Sequence, residues 1–363
     1  MRIFHFIYDH SGNPWVGGGG AVRALELYRR LAQRHEITII SGKYPGAKDY
    51  TADGIRFHFE GSPKKNYLLS TFCYAASAFR FLRRNGAEAD LVVEDFAPWN
   101  PVFSRFAVNR PVVLHLNHRE GAGILKRFYL LPGLPFYFLE KCYPRLFENI
   151  TVLSDETRRK FGVNALILPA GLDERVLSDR AAEKEDFIFF AGRLHIRNKG
   201  LDTLFEAMRA LPDERLVIAG RGPDEAKLRE MQKSQKKLGI KNIEFAGFVS
   251  EEKKMDLMRK AKLFVLPSRF EGYGIVLLEA SAGATPAVVS GIPELGFAVN
   301  AGFAVNFRMG DAKDLARKIK MLCENSPLRR QMGANGLKYA GENTWSSVAA
   351  EFENYAKGIL SVL

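Results

Sequence analysis

Two glutamates stand eight residues apart in the segment 267–279, and a short glycine turn lies between them. Glu271 is followed by Gly272-Tyr273-Gly274-Ile275, whereas Glu279 falls in a Leu/Ala-rich run that predicts a helix. Carboxylates accept hydrogen bonds from hydroxyls, and the amino terminus of a helix offers free N–H groups and partial positive charge to a phosphate. This spacing therefore predicts a site for a ligand that carries both phosphate and hydroxyl groups.

Two cations follow another apolar run in the same half of the chain. Arg193 and Lys199 lie in the segment 192–200, directly after the strand-like run 187–191. A guanidinium fork and a compact ammonium would together neutralise a diphosphate. The alternative is that both are solvated surface cations. Their position among glycines directly after a strand favours the binding role over this alternative.

Glycine turns follow further apolar runs. Gly19 and Gly20 precede a predicted helix, and glycines there let backbone approach a ligand closely. This turn lacks the GxGxxG spacing of a nicotinamide-binding fingerprint. The turns Gly220-Arg221-Gly222-Pro223 and Gly247-Phe248-Val249 also follow strand-like runs and would bring backbone polar groups to the same edge. Each of them is equally compatible with an ordinary strand-to-helix turn.

A polar group ends the strand-like run 111–116. Because side chains alternate along a strand, His115 and Asn117 are predicted on one face, with His118 on the other. They are candidates for contacts with a ligand, although a purely structural role for the histidines is equally open. Asp9 ends the first predicted strand and is a weaker candidate, because most such residues lie on the surface.

Strand-like and helix-like segments alternate along the whole chain, which predicts an α/β fold with parallel sheets. The predicted strands are 2–8, 36–41, 90–94, 111–116, 149–153, 187–192, 215–220, 243–246 and 263–266; the predicted helices are 20–34, 134–147, 201–211, 223–237, 251–261, 311–324, 327–342 and 344–363. The pattern restarts after a Pro/Gly/Asp-containing stretch near 169–173. Two Rossmann-like domains facing each other across a deep cleft are therefore expected.

Composition and charge limit the classes of protein to which this sequence can belong. The 363 residues carry a net charge of +12, with 23 Lys/Arg against 15 Asp/Glu in 1–170 and 30 against 26 in 171–363. A basic first half suggests a phosphate ligand, an anionic membrane or nucleic acid, but no nucleic-acid motif is present.

The three scattered cysteines indicate reduced thiols and a cytoplasmic protein, and no metal-binding pattern occurs. The apolar run 128–139 is too short to span a bilayer and contains Pro132 and Pro135.

Taken in order, these motifs resemble those of family 4 glycosyltransferases, which have the GT-B architecture. The matching segments are Gly19-Gly20, Gly192-Arg193, Lys199-Gly200, 220–223, 247–249, Pro267-Ser268, 271–274, Glu279-Ala280, 291–294 and Trp345 before a final helix. The resemblance implies an acceptor-binding domain at 1–170, a nucleotide-sugar domain at 171–345, and a helix at 346–363 that returns to the first domain. It also implies a retaining transferase without a metal or other cofactor.

The resemblance assigns roles residue by residue. Arg193 and Lys199 hold the donor diphosphate, Glu279 binds the ribose, and Glu271 with the backbone of Gly272, Tyr273, Gly274 and Ile275 holds the transferred sugar. Phe248 and Val249 lie near the base, while Gly19, Gly20 and Gly222 give the donor close access to backbone. The histidine that the family places near the donor sugar is matched by His118, with Asn117 aligning at least as well.

The acceptor is less defined by the motifs. Basic residues with apolar neighbours at 64–69, 79–84 and 126–131 suit peripheral attachment to an anionic membrane, or a core helix with a basic outer face. The resulting hypothesis is transfer of a hexose from a nucleotide sugar, UDP-linked first and GDP-mannose next, to a glycan or lipid-linked cell-envelope acceptor. The alternatives are a non-catalytic membrane-surface or nucleic-acid-binding protein on a degenerate GT-B fold, and another GT-B enzyme such as an epimerase or phosphorylase.

Overall fold

A computed structural model describes residues 1–14, 18–63, 67–177, 182–237 and 242–362, with backbone alone at 126–128. Two compact units divide the chain. Unit 1 comprises Met1–Gly171 and Trp345–Leu363, and unit 2 comprises Leu172–Thr344.

Unit 1 is built on a largely parallel sheet. Its elements are β1 (Arg2–Ile7), α1 (Gly19–Leu31), β2 (Glu36–Gly42), β3 (Tyr50–Ala52), β4 (Ile55–Glu60), α2 (Tyr67–Asn85), β5 (Leu91–Phe96), α3 (Ser104–Ala107), β6 (Val112–Leu116), α4 (Gly123–Phe128), α5 (Leu130–Cys142), β7 (Asn149–Val152), α6 (Asp155–Phe161), β8 (Leu166–Ile167) and α16 (Trp345–Leu360). Within the described ranges the strand order is β3-β4-β2-β1-β5-β6-β7-β8, and the β3–β4 pair is antiparallel. The central strands β1, β2 and β5–β7 are largely buried because helices cover such sheets, whereas β3 at the edge is largely exposed.

Strand register in unit 1 brings polar side chains together. Asp95 of β5 pairs with His115 of β6, and His115 pairs with Thr151 of β7. These residues stand near the carboxyl ends of their strands. The carboxyl edge of an open parallel sheet is where ligands bind in α/β proteins.

The carboxyl-terminal helix α16 belongs to unit 1 and packs on α1. The rings of Tyr28 and Phe352 meet edge to face at 6.3 Å. At the same junction, the Arg34 guanidinium donates to Glu353 at 2.5 Å, and His35 Nε2 lies 3.2 Å from the other Glu353 oxygen. Aromatic packing and a shared carboxylate therefore fix the helix at this position.

Unit 2 is a second parallel α/β unit. Its elements are α7 (Glu174–Leu177), β9 (Glu185–Ala191), α8 (Ile196–Lys199), α9 (Leu201–Arg209), β10 (Leu216–Ala219), α10 (Glu225–Lys237), β11 (Ile243–Gly247), α11 (Glu251–Lys260), β12 (Ala261–Leu266), α12 (Ile275–Ala282), β13 (Ala287–Ser290), α13 (Gly296–Asn300), β14 (Ala304–Phe307), α14 (Ala312–Glu324) and α15 (Ser326–Glu342). Among the described residues the strand order is β11-β10-β9-β12-β13-β14. The turns after β9, β10, β11 and β12 therefore reach one edge of the sheet.

The structure adds elements that the sequence pattern did not predict. Strands β3 and β4 form a hairpin whose turn, Asp53-Gly54, has positive φ at both residues (53° and 74°). An Asp-Gly pair between alternating residues is a known hairpin signal, so this was a missed sequence cue. The helix predicted at 134–147 is α5, which begins earlier, at Leu130, and contains both Pro132 and Pro135. Pro132 is tolerated because the first turn of a helix lacks intrahelical N–H partners.

Candidate functional site

The centre of the unit 2 site is an ion pair between two turns. Lys199 Nζ lies 2.5 Å from Glu271 Oε1, and the Ser268 hydroxyl donates to the same oxygen at 2.7 Å. The Lys199 side chain is 20% exposed and that of Glu271 is 10% exposed, so a ligand can reach both. Glu271 Oε2 has no partner among the described residues, which leaves it available to accept a ligand hydroxyl.

Close backbone packing sets the position of Lys199. Gly200, the next residue, has φ of +61°, and a Cβ there would come 2.0 Å from the Pro267 carbonyl oxygen. No other residue type fits this contact without displacing the 267–271 turn. The pairing of Lys199 with Glu271 thus depends on a glycine that belongs to the predicted motif.

A charged clamp holds the two turns together. Arg269 Nη1 and Nη2 donate to the two carboxylate oxygens of Asp202 at 2.8 and 2.9 Å, and Nη2 also donates to Thr203 Oγ1 at 2.9 Å. The backbone N–H of Arg269 donates to the Asn198 carbonyl at 2.8 Å. A bidentate guanidinium–carboxylate pair fixes orientation as well as distance. The clamp therefore aligns the Glu271 turn with the Lys199 turn.

Glu279 lies in α12, one turn after its start, and has a partner that sequence reasoning missed. Lys254 Nζ of α11 donates to Glu279 Oε1 at 2.8 Å and to Glu251 at 2.6 Å. Glu279 Oε2 is buried without a hydrogen-bond partner among the described residues. Burial raises the pKa of Glu279, and Lys254 opposes that shift. A buried, unpaired acceptor oxygen is costly unless a donor such as a ligand hydroxyl reaches it.

The amino terminus of α12 lies between Glu271 and Glu279 in the chain. Gly274 is its N-cap with φ of +82°, and no side chain caps the first turn. The free N–H groups of that turn suit an anion. The Tyr273 ring is buried and stacks on Phe297 at 4.8 Å, so position 273 offers its backbone and not its side chain.

The remaining predicted donor residues of unit 2 lie on neighbouring turns. Arg193 is exposed and forms no ion pair with any residue in the described ranges. Phe248 is exposed, and the Arg221 guanidinium stacks over its ring at 4.4 Å. Val249 packs on the core. Gly222 is required for packing, because a Cβ there would come 2.4 Å from the Leu194 carbonyl oxygen.

Unit 1 contains a second polar cluster, which is buried. His5 Nε2 lies 2.7 Å from Asp95 Oδ2, and Asn117 Nδ2 donates to Asp95 Oδ1 at 2.7 Å. His115 Nε2 lies 3.2 Å from Asn117 Oδ1. The prediction that His115 and Asn117 share one face of the strand is confirmed.

The protonation of His115 follows from its surroundings. Burial lowers its pKa to about 3, and the adjacent Arg23 acts in the same direction. A neutral ring explains the contacts, since Nδ1 accepts from Arg23 Nη2 at 3.0 Å and lies 2.8 Å from Thr151 Oγ1. The Nε2–H then donates to Asn117, whose amide donates to Asp95. This chain of hydrogen bonds fixes the Asn117 side chain.

Arg23 and Asp95 carry the charges of this cluster. Arg23 is fully buried on α1, with Nη1 at 3.9 Å from Asp95 Oδ2. Burial alone would raise the pKa of Asp95, but His115, His5 and Arg23 lower it below its usual range. The carboxylate is therefore ionised inside the unit.

Two family models match the chain. The model for glycosyl transferases group 1 matches residues 177–339, and the model for Glycosyltransferase Family 4 matches residues 17–164. The chain belongs to the family 4 glycosyltransferases. The predicted GT-B fold is confirmed, with its two α/β units.

This glycosyltransferase is similar to named relatives. It is 26% identical over 361 residues to phosphatidyl-myo-inositol mannosyltransferase of Mycolicibacterium smegmatis, covering 93% of this chain and 89% of the relative. The protein of that name from Mycobacterium leprae is 31% identical over 229 residues, and the match spans 59% of each chain. Among solved structures, Anabaena Alr3699/HepE in complex with UDP has a TM-score of 0.75 at 17% identity, with each chain fully covered.

The other predicted residues of the glycosyltransferase lie in unit 1. Gly19 and Gly20 begin α1, and Gly20 stands beside Asp9. His118 is about one-third exposed, with Nε2 at 3.8 Å from Glu120, whereas His115 is fully buried. Residues 15–17 of the glycine turn and Lys64-Lys65 lie outside the described residues.

Within the described residues, no group of three or more His, Cys, Asp or Glu side chains is arranged to hold a metal ion. In the same part of the chain, no helix is both long and apolar enough to cross a bilayer.

Proposed function

We propose that this glycosyltransferase moves a hexose-type sugar from a nucleotide diphosphate sugar to a glycan or lipid-linked cell-envelope acceptor, with retention of configuration. The observation that carries the proposal is the Lys199–Glu271 pair, together with the buried and unpaired Glu279 oxygen in the helix α12 that follows Glu271. This arrangement offers cationic, helix-terminal and carboxylate groups, which complement the phosphates and hydroxyls of one nucleotide sugar.

Each part of the proposed nucleotide-sugar donor has a complementary group in unit 2. Arg193, Lys199 and the first N–H groups of α12 would bind the diphosphate, whose charge they complement. Glu279 Oε2 would accept from the ribose, and Glu271 Oε2 from the transferred sugar. A UDP-sugar is the first choice, supported by the UDP complex of the similar Anabaena protein, and GDP-mannose is the second.

The reaction follows from where charge develops. The bond between the sugar C1 and the diphosphate oxygen breaks while C1 gains positive charge, and the acceptor oxygen bonds to C1 on the same face. The acceptor proton passes to the leaving diphosphate. Lys199 stabilises that leaving group, and its remaining N–H donors are free for this while one is bound to Glu271. We therefore propose a metal-independent reaction that uses no cofactor beyond the donor.

The acceptor is inferred from the relatives. Two of them carry the name phosphatidyl-myo-inositol mannosyltransferase, and a phospholipid stands in that name. A lipid-linked or glycan acceptor of the cell envelope fits the basic first half of the chain. His118, whose side chain is partly exposed after β6, is the residue of unit 1 that we propose for contact with the donor sugar. The cytoplasmic location stays a prediction.

A thermal-shift panel of UDP-, GDP- and ADP-sugars tests donor binding. The true donor should raise the melting temperature, because binding to the folded state adds about 2.7 kcal/mol at a hundredfold excess over Kd. Release of nucleoside diphosphate is then measured with and without phosphatidylinositol vesicles and in EDTA. Release only with an acceptor indicates transfer, whereas donor isomerisation without one indicates an epimerase. If no nucleotide sugar stabilises the protein, the proposal is wrong.

A further inference from the structure

Helix α5 exposes apolar residues that a surface helix normally buries. Eight of its thirteen residues are Leu, Phe, Tyr or Cys, yet its buried residues are Gly133 and Glu140. An amphipathic surface helix turns its apolar stripe toward the core. In α5 the small glycine and the charged glutamate are buried, whereas Leu130, Leu131 and Phe138 are exposed. The other large apolar residues of the helix are partly buried.

The exposure is greatest at the start of the helix. Tyr129, Leu130 and Leu131 are 80%, 62% and 77% exposed, three large apolar side chains in succession. Tyr129 separates α4 from α5 with φ of +64°, a backbone region that bulky residues rarely occupy. Surrounding structure must hold such a conformation. On the inner side, Glu140 accepts the N–H groups of Glu120 and Gly121, each at 2.8 Å.

The exposed apolar surface continues onto α2. Phe72 of α2 stacks on Phe136 of α5 with ring centroids 6.1 Å apart. Phe72 and Leu69 are about half exposed, and so is Phe138 of α5. A contiguous apolar patch of this kind on a soluble protein marks an interaction site. We call residues 129–131 with the outer faces of α2 and α5 the apolar face.

The charge around the apolar face selects its partner. The segments 67–85 and 129–146 contain five Lys/Arg and one Asp/Glu, Glu140, which is buried. A second copy of this chain would bring the same positive charge to the interface and be repelled. An anionic lipid surface complements both the charge and the apolar side chains.

We propose that the apolar face docks on an anionic bilayer leaflet, with Tyr129, Leu130 and Leu131 entering the acyl boundary. This agrees with the lipid-linked acceptor proposed above and adds the surface that brings the enzyme to it. Docking by insertion and charge requires no transmembrane helix. Membrane binding is measurable without donor or acceptor, so it stands or falls separately from the transferase assignment.

Co-sedimentation of the full chain with vesicles tests the proposal. One set contains equal parts phosphatidylglycerol and phosphatidylcholine, and the other contains phosphatidylcholine alone. We expect binding to the anionic vesicles at low salt, weakening as salt is raised. The double variant Leu130→Glu/Leu131→Glu should bind at least about tenfold more weakly. A Tyr129→Trp variant should show a blue-shifted fluorescence on binding.

The matched control is Met309→Glu/Leu337→Glu, which adds the same charge at exposed apolar residues of unit 2. It should bind anionic vesicles far more strongly than the variant at 130–131. Thermal unfolding of both variants checks that they fold. The proposal is overturned if the wild type ignores anionic vesicles at low salt, or if both double variants bind equally. It is also overturned if the wild type forms a dimer in solution that the substitutions at 130–131 dissociate.

Discussion

The Glu271 cluster of unit 2 and the Asp95 cluster of unit 1 both lie where parallel strands end, but water reaches them to different extents. The side chains of Lys199 and Glu271 are partly exposed, whereas those of His5, Arg23 and Asp95 are buried. Among the described residues, the unit 2 cluster also leaves Glu279 Oε2 buried and unpaired, and the Lys199 and Ser268 contacts of Glu271 are both to its Oε1. In the unit 1 cluster both oxygens of Asp95 are hydrogen-bonded.

This difference in exposure assigns different roles to the two clusters: the unit 2 cluster is suited to bind a ligand, and the unit 1 cluster to stabilise the fold. A buried charged side chain is stabilised by its partners. When one partner is removed, the desolvation cost of the remaining charge is no longer compensated. A partly exposed ion pair contributes little to stability and stays available to a ligand. Substitutions in the unit 1 cluster should therefore reduce stability, and substitutions in the unit 2 cluster should reduce transfer.

The largest effect is expected at Asp95. Asp95→Ala leaves Arg23 buried without its counter-charge and removes the acceptor for His5 and Asn117. The free energy of unfolding should fall by about 3–5 kcal/mol, measured in urea. Glu271→Ala also removes a carboxylate and serves as the control, with a small loss of stability. Equal unfolding midpoints for the two variants would remove the distinction between the clusters.

The second-largest effect is expected on the rate of sugar transfer. Lys199→Ala and Glu271→Ala should each lower the rate by about 10²–10³-fold, because each removes a group proposed to bind the reacting part of the donor. Their free energy of unfolding should change by less than about 1 kcal/mol. The measurement is steady-state transfer with the donor identified by thermal shift.

Glu244→Ala is the matched control for that pair of variants. It breaks the Arg215–Glu244 ion pair, which is also in unit 2 but is exposed and outside the site. Its transfer rate should equal that of the wild type. Wild-type turnover in either Lys199→Ala or Glu271→Ala would contradict the assignment of the site.

Sequence patterns predicted the parts of the fold that depend on neighbouring residues. The strand, glycine turn and helix around Glu271 and Glu279 are local, so apolar runs and glycines were enough to place them. The same alternation placed His115 and Asn117 on one face, which their hydrogen bond confirms. The family resemblance added the roles of the donor residues, and those roles await the tests given above.

Partners that depend on strand order could not be predicted. Lys199 meets Glu271 because β9 and β12 are neighbours in the sheet, although 72 residues separate the pair. Asp95 meets His5 only through the register of β1 and β5. Lys254 lies in a helix that carries both acidic and basic residues. The local sequence there does not distinguish a lysine that binds Glu279 from a lysine that is exposed to solvent.

A smaller effect tests the clamp that aligns the two turns of the unit 2 site. Arg269→Ala should raise the KM for the donor about tenfold, because the Glu271 turn loses its bidentate link to α9. Asp202→Ala should have a similar effect, and the double variant should be little worse than either single one. Fully additive effects would show that the pair does not act as one clamp.

The smallest effect is a pH dependence that belongs to the unit 1 cluster. Folding holds the pKa of His115 at about 3, below its usual 6.5, because burial and Arg23 disfavour the charged ring. The unfolded chain therefore binds a proton below pH 6.5 that the folded chain does not, so stability is lost as the pH falls from 6.5 toward 3. Near about pH 5.5 the loss should be about 1 kcal/mol.

A His115→Gln variant isolates this contribution. Asp9, whose pKa is raised to about 6 by burial and by Asp95, has the opposite effect on stability between about pH 4 and 6. Because Asp9 is present in both proteins, the difference between their unfolding free energies cancels most of its effect. That difference should shrink as the pH falls from about 7 to 5.5, since glutamine takes up no proton. A difference that stays constant over this range would mean that His115 is not held neutral, and the hydrogen-bond direction assigned from Arg23 through Asn117 to Asp95 would be wrong.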